Sequence, residues 1–123
     1  MRLLIAIVLS ICFAFAAHAQ QANLSGPYAI EGQNPDGAGR YQGRVTVQRK
    51  GDTYQIVWQI GQTRATGTGI FRDGKLAVVF QPQTGAAGVA FFELNSSGSL
   101  SGTWTSLGGG VLGTEQWTPQ NRS

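Results

Sequence analysis

Beyond its first twenty or so residues, the chain alternates apolar and polar side chains with a period of two, and short glycine-bearing turns break that alternation at regular intervals. A strand sends successive side chains to opposite faces, so this pattern calls for half-buried strands; no stretch sustains the 3.6-residue spacing of an amphipathic helix. In Tyr41 to Gln48, the residues Tyr41, Gly43, Val45 and Val47 share a face opposite Gln42, Arg44, Thr46 and Gln48. Across Gly51-Asp52, the run Thr53 to Ile60 puts Tyr54, Ile56, Trp58 and Ile60 together. Two alternating runs joined by so short a link read as a hairpin.

The same reading continues along the chain. Strands are predicted over Pro27–Gly32, Ala65–Phe71, Lys75–Gln81, Val89–Leu94, Leu100–Thr105 and Thr114–Thr118. The strand Lys75–Gln81 follows the tight turn Asp73-Gly74 and has a buried character through Leu76, Val78, Val79 and Phe80. In Val89–Leu94, Phe91 and Phe92 stand back to back. Turns at Asn34-Pro-Asp-Gly37 and Ser96-Ser-Gly98 and the run Gly108–Gly110 separate the others. About eight strands joined mainly by hairpins pair neighbour to neighbour. Closure removes the edges that an open sheet would have to protect. The expected fold is all-β, a small antiparallel up-and-down barrel of about eight strands, with a sandwich as the alternative. Gly43, Gly67, Gly69 and Gly102 lie inside strands, where glycine marks bulges, barrel corners or close approach of another group. In a tightly curved barrel a bulky residue is expected to face such a glycine across the interior.

The front of the chain obeys a different rule. Arg2 precedes an apolar run from Leu3 to Phe15, followed by Ala17-His18-Ala19. A basic start, an apolar core of about a dozen residues and small residues at −3 and −1 define a secretory signal. The run is too short to span a bilayer, which takes about 20 apolar residues. Residues 1–19 are therefore expected to be a signal peptide cut before Gln20, leaving residues 20–123 as one domain with no stable membrane insertion, periplasmic or secreted. Cys12, preceded by Ile11, lacks the small residue that lipidation requires and belongs to the apolar run.

That cut has chemical consequences. Cys12 and His18 are the chain's single cysteine and single histidine, so the exported domain has neither. A histidine-based triad, a thiol nucleophile and the common zinc sets are excluded, and so is the disulfide stapling on which small secreted domains usually lean. No metal site and no cofactor are expected. Nine Lys and Arg against six Asp and Glu give a formal net charge of +3. The basic residues are scattered, without the clustered stripe that nucleic acid requires. Asp36, Asp52 and Asp73 each lie beside a glycine in a turn, where a carboxylate bonds the local backbone. Glu31, Glu93 and Glu115 lie on strands, where a pair would supply the two groups of glycoside chemistry. Gly67-Thr-Gly69 and Gly108–Gly110 lack the lysine and following helix of a phosphate-binding loop.

The aromatic residues are the most suggestive set. Tyr41, Tyr54, Trp58, Trp104 and Trp117 are the candidate ligand-binding residues, because rings with polar tips at a barrel mouth hold a small apolar or aromatic ligand. The alternative is that they fill a narrow barrel.

Tyr28-Ala-Ile-Glu-Gly32, Asn34-Pro-Asp-Gly37, Tyr41-Gln-Gly43, Gly51-Asp-Thr-Tyr54, Trp58-Gln-Ile60, Gly67-Thr-Gly69, Leu100-Ser-Gly-Thr-Trp104 and Gly113-Thr-Glu115 together resemble a family of small exported, mainly alphaproteobacterial β-rich proteins. Some of these carry a fibronectin-binding label. The resemblance supplies no active-site motif. Leu100-Ser-Gly-Thr-Trp104 by itself is similar to a strand of avidin-like barrels, which implies an avidin- or calycin-like form and transfers no ligand contact. The expected function is an exported, non-enzymatic barrel binding a small ligand or an extracellular protein. Two alternatives stand beside it: a surface adhesin of fibronectin-binding type that uses edge strands or loops, and a hydrolase or isomerase working through Glu31, Glu93 or Glu115.

Overall fold

The computed structural model describes residues 22–37 and 39–120; the expected signal peptide and its cleavage site lie outside them. Eight strands follow one another: β1 (Gly26–Gln33), β2 (Arg40–Lys50), β3 (Thr53–Ile60), β4 (Thr63–Arg72), β5 (Lys75–Pro82), β6 (Gly88–Leu94), β7 (Leu100–Ser106) and β8 (Gly113–Pro119). Each pairs antiparallel with the next, and β1 pairs with β8, so the sheet closes as an up-and-down barrel. The sandwich is thereby ruled out. So is recognition of a partner through an edge strand, because every strand already has two neighbours.

The turns follow from residues that tolerate positive φ. Asp73 and Gly74, at φ 53° and 77°, form a two-residue link with both central residues left-handed. That twist matches the flanking strands. Gly51 and Gly61, at 63° and 59°, open the other two-residue links, Gly51-Asp52 and Gly61-Gln62.

Alternation then sorts side chains into inside and outside. Ile30, Val45, Val47, Ile56, Leu76, Val78, Phe92, Leu100 and Trp117 are buried and form one core within the barrel. Val79 does not join them: its neighbours Val78 and Phe80 take the inward positions, leaving Val79 61% exposed on the outer face. Phe92 points in and is fully buried, whereas Phe91 points out. A run of apolar residues in β5 and β6 thus hides two faces, a core face and an outer stripe.

The in-strand glycines meet side chains of the adjacent strand, not across the interior: Gly43 meets Ile60, Gly67 meets Trp58, Gly69 meets Leu76 and Ile56, and Gly102 with three others meets a large ring. Tyr41 is registered against Gly32, Phe80 against Gly88, Phe92 against Gly102 and Trp104 against Gly113. Each ring lies over the bare backbone opposite it. A β-carbon on Gly113 would sit 2.7 Å from Trp104 Nε1. A barrel of eight strands is just wide enough for its side chains. Laying aromatic rings over a neighbour's glycine lets such large groups fit inside it.

The two ends differ. Beside the β2–β3 and β4–β5 turns, the N-terminal segment folds across one end, and Leu24, 2% exposed, enters the core. The Tyr28 hydroxyl donates to the Leu24 carbonyl at 2.6 Å, and the Leu24 N–H donates to the Tyr54 hydroxyl at 3.4 Å. Leu24 therefore plugs this end. The β1–β2, β3–β4, β5–β6 and β7–β8 links surround the other.

Candidate functional site at the open end of the barrel

At the unplugged end a cavity of about 470 Å³ enters the barrel, within the range usual for small-molecule sites. Its walls include Tyr41 from β2, Trp58 from β3, Phe80 from β5 and Trp104 from β7, and Glu115 from β8 lies at its base. Asn34, Thr63, Thr84 and Ser106 supply uncharged polar groups around it.

Among the described residues, Glu115 is the one charged or polar residue that is buried, at 7% exposure. It lies on β8 between Gly113 and Trp117 in the period-two order, and so shares their inward face. Three donors converge on its carboxylate. Tyr41 Oη donates to Oε1 at 2.8 Å, and Trp58 Nε1 and Trp117 Nε1 donate to Oε2 at 3.1 and 2.7 Å. Burial raises the Glu115 pKa above its ordinary value, and the bonds from Trp117, Tyr41 and Trp58 work against that rise. The Tyr41 hydroxyl is raised as well, first by burial, then by the neighbouring negative charge and its own bond to Glu115; Trp104 acts in the opposite sense.

The aromatic rings form a circuit that closes on this carboxylate. Tyr41 and Trp104 stand edge to face at 6.3 Å between centroids, Trp104 and Phe80 at 6.0 Å, and Phe80 and Trp58 tilt together at 5.9 Å. The two ends of the series, Tyr41 and Trp58, both bond Glu115. Trp104 Nε1–H is buried without a hydrogen-bond partner among the described residues.

Of the five aromatic residues singled out in the sequence, Tyr41, Trp58 and Trp104 thus line one cavity. Trp117 is fully buried and holds Glu115 from the core side, packed on Phe92 at 4.3 Å and Tyr28 at 5.7 Å. Tyr54 lies at the plugged end against Leu24, away from the cavity. Both readings of the aromatics hold, each for a different half of the barrel: rings fill the plugged half and line the open one.

The three strand glutamates do not assemble. Glu31 and Glu93 are exposed, on the opposite face of their strands from the core, whereas Glu115 is inside. A two-carboxylate mechanism therefore lacks its second group in this cavity. Sequence reasoning places Glu115 only among candidate catalytic acids and Phe80 only in a buried strand, and it assigns neither to a ligand site. The signal for Glu115 is present in the alternation of Thr114–Thr118, which puts it on the face of Trp117. No group of His, Cys, Asp and Glu among the described residues could hold a metal ion.

No family model matches the chain. No curated protein matches it either. Among solved structures it is similar to a de novo designed fluorescence-activating β-barrel, at 18% identity and a TM-score of 0.61, over 78% of this chain and 93% of the designed one. At that identity the likeness speaks for the fold alone. The protein is a closed eight-stranded antiparallel β-barrel, plugged at one end and hollow at the other.

Proposed function

We propose that the protein is an exported, non-enzymatic binding barrel that takes a small ligand into the cavity walled by Tyr41, Trp58, Phe80 and Trp104. The observation that carries this reading is the asymmetry of the interior. Leu24, Trp117 and Phe92 pack one half solidly, while the other half keeps a cavity with one buried polar group at its base. A concave, mainly aromatic wall around few polar groups is the usual composition of a small-molecule site. Export, to the periplasm or beyond the cell, is part of the same proposal and rests on residues 1–19. Membership of the family of small exported bacterial proteins rests on the sequence resemblance.

The outer surface supports a barrel that works in water. Arg44, Gln48, Gln55, Gln59, Lys75 and Glu93 occupy exposed strand positions, where a membrane-spanning barrel would present an apolar band. The basic residues among them are dispersed, against a nucleic-acid surface.

Native mass spectrometry of protein isolated gently from its own host tests the reading. A mass excess that disappears on denaturation is expected. A bare mass, together with indole resonances that no small molecule moves, would overturn it.

A second reading, a protein partner, has its own observation. Ile70, Val79, Val89, Phe91 and Leu112 are exposed apolar residues lining one outer groove that runs from β4 to β7 and the β7–β8 link, and a contiguous patch of this kind marks a contact surface on many proteins. A fibronectin-binding role belongs to this reading. Binding to immobilised fibronectin that Val79→Lys and Phe91→Lys abolish would favour it over the cavity.

A further inference from the structure

The Glu115 carboxylate has a feature that its three hydrogen bonds do not account for. All three donors are neutral, and no cationic side chain pairs with it among the described residues. Every described Lys and Arg is exposed. Buried carboxylates are ordinarily matched by a cation or a metal, because a lone charge in an apolar interior is expensive. An ionised carboxylate has about four acceptor positions. Tyr41 takes one on Oε1, Trp58 and Trp117 take two on Oε2, and one on Oε1 is left. Glu115 lines the same cavity as the rings of Tyr41, Trp58, Phe80 and Trp104. Ring faces attract cations electrostatically, most strongly those of tryptophan, and aromatic walls are a recurrent way to hold ammonium groups.

We propose that the cavity selects a small organic cation, an alkylammonium or quaternary ammonium group seated among Tyr41, Trp58, Phe80 and Trp104 with Glu115 as its counter-ion. This inference rests on the small-ligand reading and specifies its ligand. The unpartnered N–H of Trp104 does not argue for a ligand acceptor instead, because that atom is sealed against the Gly113 backbone and a ligand has no access to it. The described strands supply no inward lysine or arginine, so no basic side chain among the described residues competes with a guest cation for the carboxylate.

The test compares two molecules of the same shape that differ in charge, choline and 3,3-dimethylbutan-1-ol, titrated into the full exported chain. The three indole N–H resonances report on the cavity base and wall. Choline is expected to bind at least tenfold more tightly than the neutral alcohol, with the Trp58 and Trp104 signals moving, and Glu115→Gln is expected to erase the preference. Equal or tighter binding of the alcohol overturns the cation proposal and leaves the small-ligand reading standing. Failure of both molecules to move any indole signal also overturns it, and the small-ligand reading is then decided by the native mass measurement. The wild-type comparison decides the matter even if Glu115→Gln does not fold.

Discussion

Trp104 and Gly113 face each other across β7 and β8, and the indole Nε1 occupies the space that a β-carbon on Gly113 would need. The same added carbon would lie 2.6 Å from the Gln33 carbonyl oxygen. Neither neighbour can yield cheaply, since one is backbone and the other is a ring wedged against Phe80 and Tyr41. Gly113→Ala is therefore expected to destabilise the barrel by about 1–3 kcal/mol, the usual range for overpacking. Urea denaturation measures it. An unchanged midpoint would mean that the ring does not lie over this glycine in solution.

Glu115 organises three donors at once, so its replacement should depend on what is left for them. Glu115→Leu leaves Tyr41 Oη, Trp58 Nε1 and Trp117 Nε1 without their acceptor, and each unmet buried group costs about 1–3 kcal/mol. A loss of roughly 3 kcal/mol or more is expected in denaturation. Glu115→Gln retains one oxygen able to accept and should lose less. Equal losses for the two variants would show that the hydrogen bonds contribute little.

The pH dependence of stability has a definite sign. Burial raises the folded pKa of Glu115 above its ordinary value of 4.5. A raised acid contributes stability that is fully present below the unfolded pKa and lost as pH climbs through the folded one. The melting temperature of wild type should fall over that interval relative to Glu115→Gln, whose side chain does not titrate. A wild-type curve parallel to that of the variant would show that the carboxylate is not raised.

Removing one indole donor should push the same titration further. Trp58→Phe keeps a ring in the cavity wall but deletes the 3.1 Å bond to Oε2, one of the interactions that hold the Glu115 pKa down. The carboxyl carbon resonance of Glu115 is expected to titrate at higher pH in this variant than in wild type. A downward movement would contradict the hydrogen-bond geometry.

Leu24 closes the end opposite the cavity, so it belongs to the folded domain although it precedes every strand. Leu24→Ala should lower stability by about 2–5 kcal/mol, as for other buried leucines. The proposed export bears on the same contact: a cut before Gln20 would keep the plug, whereas one beyond Leu24 would remove it. Terminal sequencing of the protein isolated from its host, with a melting curve, tests both.

Most of the architecture is legible in the chain itself. Eight strands, their order and the inward set Tyr41, Val45, Ile56 and Trp58 follow from a period of two, because a strand has only two faces and glycine-bearing turns reset the chain between them. Legibility fails where two faces are both apolar: Val78-Val79 and Phe91-Phe92 offer no contrast, and pairing with neighbouring strands decides which residue goes inside.

The alternation along the chain is enough to establish a meander of strands with a buried aromatic face, and the single cysteine and single histidine, Cys12 and His18, both precede its first strand. Tertiary structure alone decided which aromatics serve the site. Tyr41 and Trp58 lie 74 and 57 residues from Glu115, and only closure of β1 onto β8 brings β8 beside the start of the chain. Barrel closure and strand register are collective properties of all eight strands, so no local pattern records that Tyr54 ends at the plug while Trp104 ends at the mouth.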